Sequence, residues 1–274
     1  MTAYLIALLV GLAAGTHAAT WGMYKDSVYE GFSRNKYLRS ILLAGGLAIV
    51  AQLVLGLDMA RAGSLVILFG VTYVLERGAF EFYKVFIRKE DQTKYFIPMT
   101  FAVGGRIVRS QSLRLLAGAG YLLLIGSVIT GVHFLDRARP GLPALLMVIL
   151  IGSAAGWLSA IGGAWKDAPL EGFQLLKFFR SPALASGFAV LLSLLTANYV
   201  LISLGALGFT IATIETYKKF FNRHKAPGKF EGKPVRHPEM YRTRRRFVPV
   251  YVSLWVLIGL SIALALFEPS QGLL

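Results

Sequence analysis

The feature that most limits what this chain can fold into is a train of long apolar runs. About 20 apolar residues in a helix cross the roughly 30 Å hydrocarbon core of a bilayer. Runs of this kind cover residues 2–22, 41–58, 63–84, 113–134, 142–163, 182–196, 199–217 and 247–267. In hydrocarbon a backbone must satisfy its own hydrogen bonds, and an apolar run does so as a helix. The sequence therefore predicts an all-α, polytopic membrane protein of about eight transmembrane helices. The least marked division lies within 182–217, where "TANY" (196–199) is the one turn-like break. The first run lacks a basic leader and a small-residue cleavage site, so it reads as a span and not as a removed signal.

Charge supplies the orientation. The net charge is +15, which in a soluble protein would suggest nucleic acid, but its placement excludes that reading. Of the 29 Lys and Arg residues, 25 fall in residues 24–39, 84–114, 166–180 and 217–246. With eight spans these four segments share one side, and the positive-inside rule makes that side cytoplasmic. The expectation is a plasma or inner membrane protein with both termini outside, whose partners are membrane lipids and anionic lipid headgroups. The absence of cysteine excludes disulfides, thiolate nucleophiles and Cys-ligated metals.

The chain also repeats itself. "KDSVYEGFSRNKYLRS" (25–40) returns as "KDAPLEGFQLLKFFRS" (166–181), with 8 identities in 16 positions at a shift of 141. Most of the matches are charged or polar, so shared hydrophobicity does not explain them. At the same shift "GLAAG" (11–15) meets "GSAAG" (152–156), small residues of the kind that let helix backbones approach closely. "EFYKVFIRK" (81–89) meets "ETYKKFFNR" (215–223) at a shift of 134. Four spans per half is an even number, so the halves share one orientation, which is the parallel kind of repeat. The expected architecture is a 4+4 tandem repeat, 1–136 and 137–274, forming one integral membrane domain.

Asp26 and Glu30 are four residues apart, as are Asp167 and Glu171, which stacks two carboxylates on one face of a helix. Facing each other across a cavity, the two pairs can hold Mg²⁺ through oxygen ligands. Lys36, Arg39, Lys177 and Arg180 follow within three turns and suit phosphate oxygens. Lys25 and Lys166, next to the acids, complete the expected substrate-binding set. The competing structural reading treats Ser27 and Glu30 as a capping box and the bases as snorkelling side chains. Glu81, Tyr83 and Lys84, with Glu215, Tyr217 and Lys218, lie at the interface, where they complete the site or pair with one another. Glu76 and Arg77 sit deeper and are functional candidates on that ground, although the second half has no equivalent of them. His17, inside the first span, is read as a packing histidine ahead of a proton relay. "GKFEGKP" (228–234) lacks the strand–loop–helix context of a phosphate loop.

With "KDSVYEGF" and "KDAPLEGF" in place, the layout resembles the UbiA-type intramembrane prenyltransferases. The resemblance implies two four-helix halves and two cytoplasmic acidic motifs holding Mg²⁺ and a prenyl diphosphate, with Asp26, Glu30, Asp167 and Glu171 as the matching carboxylates. The motifs here follow spans one and five, where that family's follow two and six, and each carries only two acids. The function expected first is a Mg²⁺-dependent enzyme, a transferase acting on a phosphate-bearing lipid or prenyl substrate. The alternatives are a transporter or flippase for an anionic lipid or small solute, and a non-catalytic membrane subunit. The orientation has a direct test. A cysteine placed at Ser33 should react with an impermeant thiol reagent from the cytoplasmic side alone, and external labelling would overturn the assignment.

Overall fold

The computed structural model describes residues 1–139, 141–222 and 226–274. Pro140 and the basic-segment residues Arg223, His224 and Lys225 lie outside the described residues. The chain is helical nearly throughout: α1 (Thr2–Glu30), α2 (Arg34–Leu55), α3 (Ala62–Phe82), α4 (Gln111–Ala138), α5 (Ala144–Glu171), α6 (Leu175–Ser193), α7 (Tyr199–Thr216), the short α8 (Met240–Thr243) and α9 (Val248–Phe267). A two-residue hairpin, β1 (Ala102–Val103) and β2 (Arg106–Ile107), interrupts the connection between α3 and α4.

Among the described residues, seven helices are long and apolar enough to cross a membrane. They are Thr2–Glu30, Arg34–Leu55, Gln111–Ala138, Ala144–Glu171, Leu175–Ser193, Tyr199–Phe221 and Met240–Phe267. The sequence reading counts eight. The remaining long helix, α3, lies in the interior and carries Glu76 and Arg77 within its 21 residues. The break expected at "TANY" is present, because α6 ends at Ser193 and Asn198 caps α7 by accepting from Leu201 N at 3.0 Å.

The two helical hairpins, α1–α2 and α5–α6, turn in the same way. Gly31 (φ 74°) closes α1 and Gly172 (φ 78°) closes α5, a left-handed region that glycine enters without a Cβ penalty. Along each hairpin the same residues touch. A Cβ on Gly11 would lie 2.5 Å from Ala44 O, and one on Gly15 would lie 2.7 Å from Ser40 O. In the second hairpin Gly152 sits 3.0 Å from Ala185 O, and Gly156 sits 2.8 Å from Ser181 O, measured likewise from an added Cβ. Ala44 and Ala185, like Ser40 and Ser181, are related by the 141-residue shift. At the centre α3 crosses α7 with Gly70 against Gly205, and Gly208 against the Gly70 carbonyl.

Both central helices end in a five-residue π-helical turn, Tyr83–Ile87 and Tyr217–Phe221, at the position of the "EFYK" and "ETYK" repeat. Two further helices pack across the bundle. α9 lies on α3 and α4 leans on α7. Glu268, just past α9, accepts from Ala62 N at 2.8 Å and so caps α3, whereas Asp136 at the end of α4 accepts from Tyr199 N at 3.2 Å and caps α7. A carboxylate at a helix N-terminus is favourable, because it meets free N–H groups and the positive end of the dipole.

These contacts make a stability prediction. Gly156→Leu places a side chain against the backbone of Pro182 and should destabilise the protein by about 1–3 kcal/mol or more. Gly46, with nothing within 4 Å of an added Cβ, should tolerate Gly46→Ala. Melting midpoints of the purified protein in detergent compare the two. Equal midpoints would overturn the contact.

Candidate functional site

The basic segments meet at one end of the bundle, and the repeated motif sits there in both copies. α1 delivers Lys25, Asp26 and Glu30, and α5 delivers Lys166, Asp167 and Glu171. The partners of the two copies differ.

In the first copy, Asp26 binds Lys219 Nζ at 2.9 Å and Lys229 Nζ at 3.0 Å. Glu30 binds Lys229 at 3.2 Å and Lys36 at 3.3 Å. Lys229 thus bridges both carboxylates. Its segment is anchored by Phe96 N donating to Lys229 O at 2.8 Å and by Phe230 stacked on Tyr29, ring centroids 4.6 Å apart. Burial disfavours the charged form of Lys229, but the carboxylates of Asp26 and Glu30 outweigh it and hold its pKa above the ordinary lysine value. This contribution is therefore fully present below that ordinary value, and it is lost as the pH rises through the higher folded one.

Lys25 is a cap. The π turn at the end of α7 leaves free carbonyls, and Lys25 Nζ donates to Lys218 O at 3.0 Å and Asn222 O at 2.6 Å. In the other half the equivalent carbonyl belongs to Arg88. It accepts from Arg114 Nη2 at 2.6 Å, with Gln111 Nε2 on Phe86 O at 3.2 Å. Lys166, the counterpart of Lys25, is thereby released from capping and meets Met99 Sδ at 3.4 Å. The sequence placed Lys25 and Lys166 together as binding residues, and the structure separates them.

In the second copy, Lys177 Nζ bridges Asp167 at 2.8 Å and Glu171 at 3.0 Å. The four carboxylates do not gather into one group. Among the described residues no three of His, Asp or Glu stand together as ligands for one ion. In each motif an ammonium group already bridges the acid pair, where a divalent ion would sit, so this arrangement does not fit a shared Mg²⁺ centre.

The arginines also diverge. Arg39 lies over the Phe80 ring, 4.7 Å from its centroid. Its counterpart Arg180 has a buried Nε without a hydrogen-bond partner and lines a cleft of about 170 Å³ between α5, α6 and α7. Asp167, Lys177, Glu215 and Lys218 line the same cleft. Glu215 and Lys218 form an ion pair with each other at 3.1 Å, one of the two roles read for them. Phe80 and Arg77, which accompany Arg39 in the first half, correspond to Ile214 and Ile211, both on the wall of this cleft.

The deeper candidates form a polar core of the first half. Ser40 Oγ donates to Glu76, which also pairs with Arg77 Nε at 2.7 Å. His17 Nδ1 lies 3.0 Å from Tyr73 OH, which accepts from Trp21 Nε1 at 2.6 Å. His17 also stacks on Tyr251 with centroids 4.4 Å apart. These contacts match the packing role read for His17, although its Nε2 is buried without a partner. The sequence reading missed Lys219 and Lys229, which hold Asp26, because nothing local marks two lysines of the second half as partners of an acid in the first. Comparison with known protein families, with curated proteins and with solved structures returns no match.

Lys229→Met should leave Asp26 and Glu30 short of a shared cation and cost about 1.5–3 kcal/mol per charged hydrogen bond lost. Hydrogen exchange at residues 226–231 should rise, whereas Lys233→Met should leave that segment protected. Unchanged exchange in Lys229→Met would show that the bridge does not hold the segment.

Proposed function

We propose that this chain is an eight-helix, parallel 4+4 tandem-repeat membrane protein that binds a phosphate-bearing lipid or prenyl headgroup at its basic, cytoplasm-facing end. The binding site is the cleft between α5, α6 and α7. The observation that carries this reading is the contrast between two related arginines. Arg39 is exposed and lies over the Phe80 ring, whereas Arg180 is half-buried and lines a cleft with a buried, unpartnered Nε. An unpaired buried guanidinium N–H is costly, and a phosphate oxygen is an acceptor suited to it.

Lys177 and Lys218 stand on the same cleft, each held by carboxylates in the absence of an anion. A phosphate competes with Asp167, Glu171 and Glu215 for these ammonium groups, so binding is an exchange of partners. The lysine-bridged acids support binding over metal-dependent transfer, and the reading includes no chemical step. The parallel repeat is supported by the paired glycine contacts, the two π turns and the crossed caps from Glu268 and Asp136.

Pyrophosphate is a suitable probe. It should raise the melting midpoint of the full-length protein in detergent. Arg180→Gln and Lys218→Gln should each weaken the effect roughly tenfold, in line with loss of one charge-assisted hydrogen bond. Arg39→Gln should leave it unchanged. Equal losses at Arg39 and Arg180 would point to nonspecific charge and overturn the site.

A further inference from the structure

The two halves differ most on one flank. At the 141-residue shift, Thr20, Trp21 and Tyr24 of α1 correspond to Ile161, Gly162 and Trp165 of α5. On α1 this face is sealed: Thr20 is 0% and Tyr24 4% exposed. On α5 it is open, with Ile161 54% and Trp165 55% exposed. No atom lies within 4 Å of where a Cβ on Gly162 would be, the position that Trp21 fills in the other half.

The covering helices differ in the same sense. "LLLIG" (122–126) of α4 matches "WVLIG" (255–259) of α9 at a shift of 133. In α9, Tyr251 and Trp255 pack against His17 of α1. Their counterparts in α4 are Gly118 and Leu122, and α4 has no comparable contact with α5. Five bulky or polar residues that close the first flank, His17, Trp21, Tyr73, Tyr251 and Trp255, become Leu158, Gly162, Leu207, Gly118 and Leu122 in the second. The space at Gly118 is taken by Phe86 and Phe82, but α4 and α5 both pack on α7 and not closely on each other, which leaves a lateral groove between them lined by Leu158, Gly162 and Leu122.

The basic end of the groove carries ammonium groups. Lys166 emerges there on α5, and its one hydrogen-bond partner among the described residues is the Met99 sulfur. The Glu81–Lys84 ion pair stands within electrostatic range of it. Trp165 Nε1 donates to Ala102 O at 2.9 Å and fixes this end to the β1–β2 hairpin.

We propose that this groove seats one membrane lipid, with an acyl chain along the Gly162 notch and an anionic phosphate headgroup at Lys166 and Lys84. The polarity of the groove runs the same way as that of a lipid in the adjoining leaflet, with cations at headgroup depth and an apolar slot beneath them. A second helix or a second copy would have to bury two ammonium groups, Lys166 and Lys84, against the single carboxylate of Glu81. The groove lies on a different face of α5 from the Arg180 cleft and does not depend on that reading.

Native mass spectrometry of the full-length protein with phosphatidylglycerol and phosphatidylcholine tests the proposal. Wild type should retain one phosphatidylglycerol in preference to phosphatidylcholine. Gly162→Trp, which restores the residue of the sealed flank, should weaken that retention roughly tenfold, as expected for the loss of a few buried methylene contacts. Lys166→Gln should abolish the headgroup preference and keep the chain-dependent retention. Gly46→Trp and Arg180→Gln should leave both intact. The proposal is overturned if both Gly162→Trp and Lys166→Gln retain phosphatidylglycerol as wild type does. It is equally overturned if wild type shows no preference, or if the species seen is a dimer that Gly162→Trp converts to monomer. Should Gly162→Trp fail to fold, Lys166→Gln alone decides.

Discussion

The close crossing of α3 and α7 is the contact on which the rest of the arrangement depends. Gly70 and Gly208 bring the two backbones together where any side chain would hold them apart. In a bilayer, apolar side chains gain little by leaving lipid for protein, so helix association rests on close packing and on polar contacts. With α3 and α7 locked at the centre, each hairpin packs on its own central helix, α1–α2 on α3 and α5–α6 on α7, while α9 and α4 cross to the opposite half. Glu268 and Asp136 then close the far end by capping α3 and α7. At the basic end the same exchange appears, since Lys219 and Lys229 of the second half hold Asp26 of the first.

Much of this was legible in the sequence. The apolar runs gave the helices, because a span has to satisfy its backbone locally and so leaves a contiguous trace. The repeated "GLAAG" and "GSAAG" gave the tight hairpin contacts, since at a close crossing only small residues fit. The two "KD…EGF" motifs close α1 and α5 alike, each at a glycine of positive φ. Their environments were not legible. Whether an acid meets a metal, a lysine or a ligand depends on which distant segment reaches it, and that segment arrives by tertiary packing. Lys25 shows the limit well. Its role as a cap depends on a π turn in α7, and the same turn in the other half is served by Arg114, so identity at Lys166 did not carry identity of function.

Burial of ionisable groups follows a consistent logic in the first half. Glu76 is buried and held by Arg77 and Ser40, and Arg77 lies over the Trp21 ring, 5.1 Å from its centroid. A charged pair in so apolar a setting is tolerated when each member is satisfied. Ser40 and the carboxylate–guanidinium pair satisfy Glu76, and the rings of Trp21 and Phe80 face the Arg77 guanidinium. Removing those rings from the second half removes the need for a buried acid there, and Glu76 is indeed replaced by Thr210, Arg77 by Ile211.

The hairpins α1–α2 and α5–α6 and the central helices α3 and α7 share backbone contacts and differ in the side chains between them. The hairpins, the π turns and the central crossing are kept in both, because each is a contact between backbones and tolerates little change. Side chains between those contacts are freer to vary. In the first half they grow, become aromatic and seal the flank around a buried ion pair. In the second they shrink to glycine and leucine, leaving Arg180 on a cleft and Lys166 at the end of an open groove. On the proposed reading, a parallel repeat of this kind gains a site without a change of scaffold: Lys25 caps a π turn and Arg39 lies on a ring, whereas their counterparts Lys166 and Arg180 do neither.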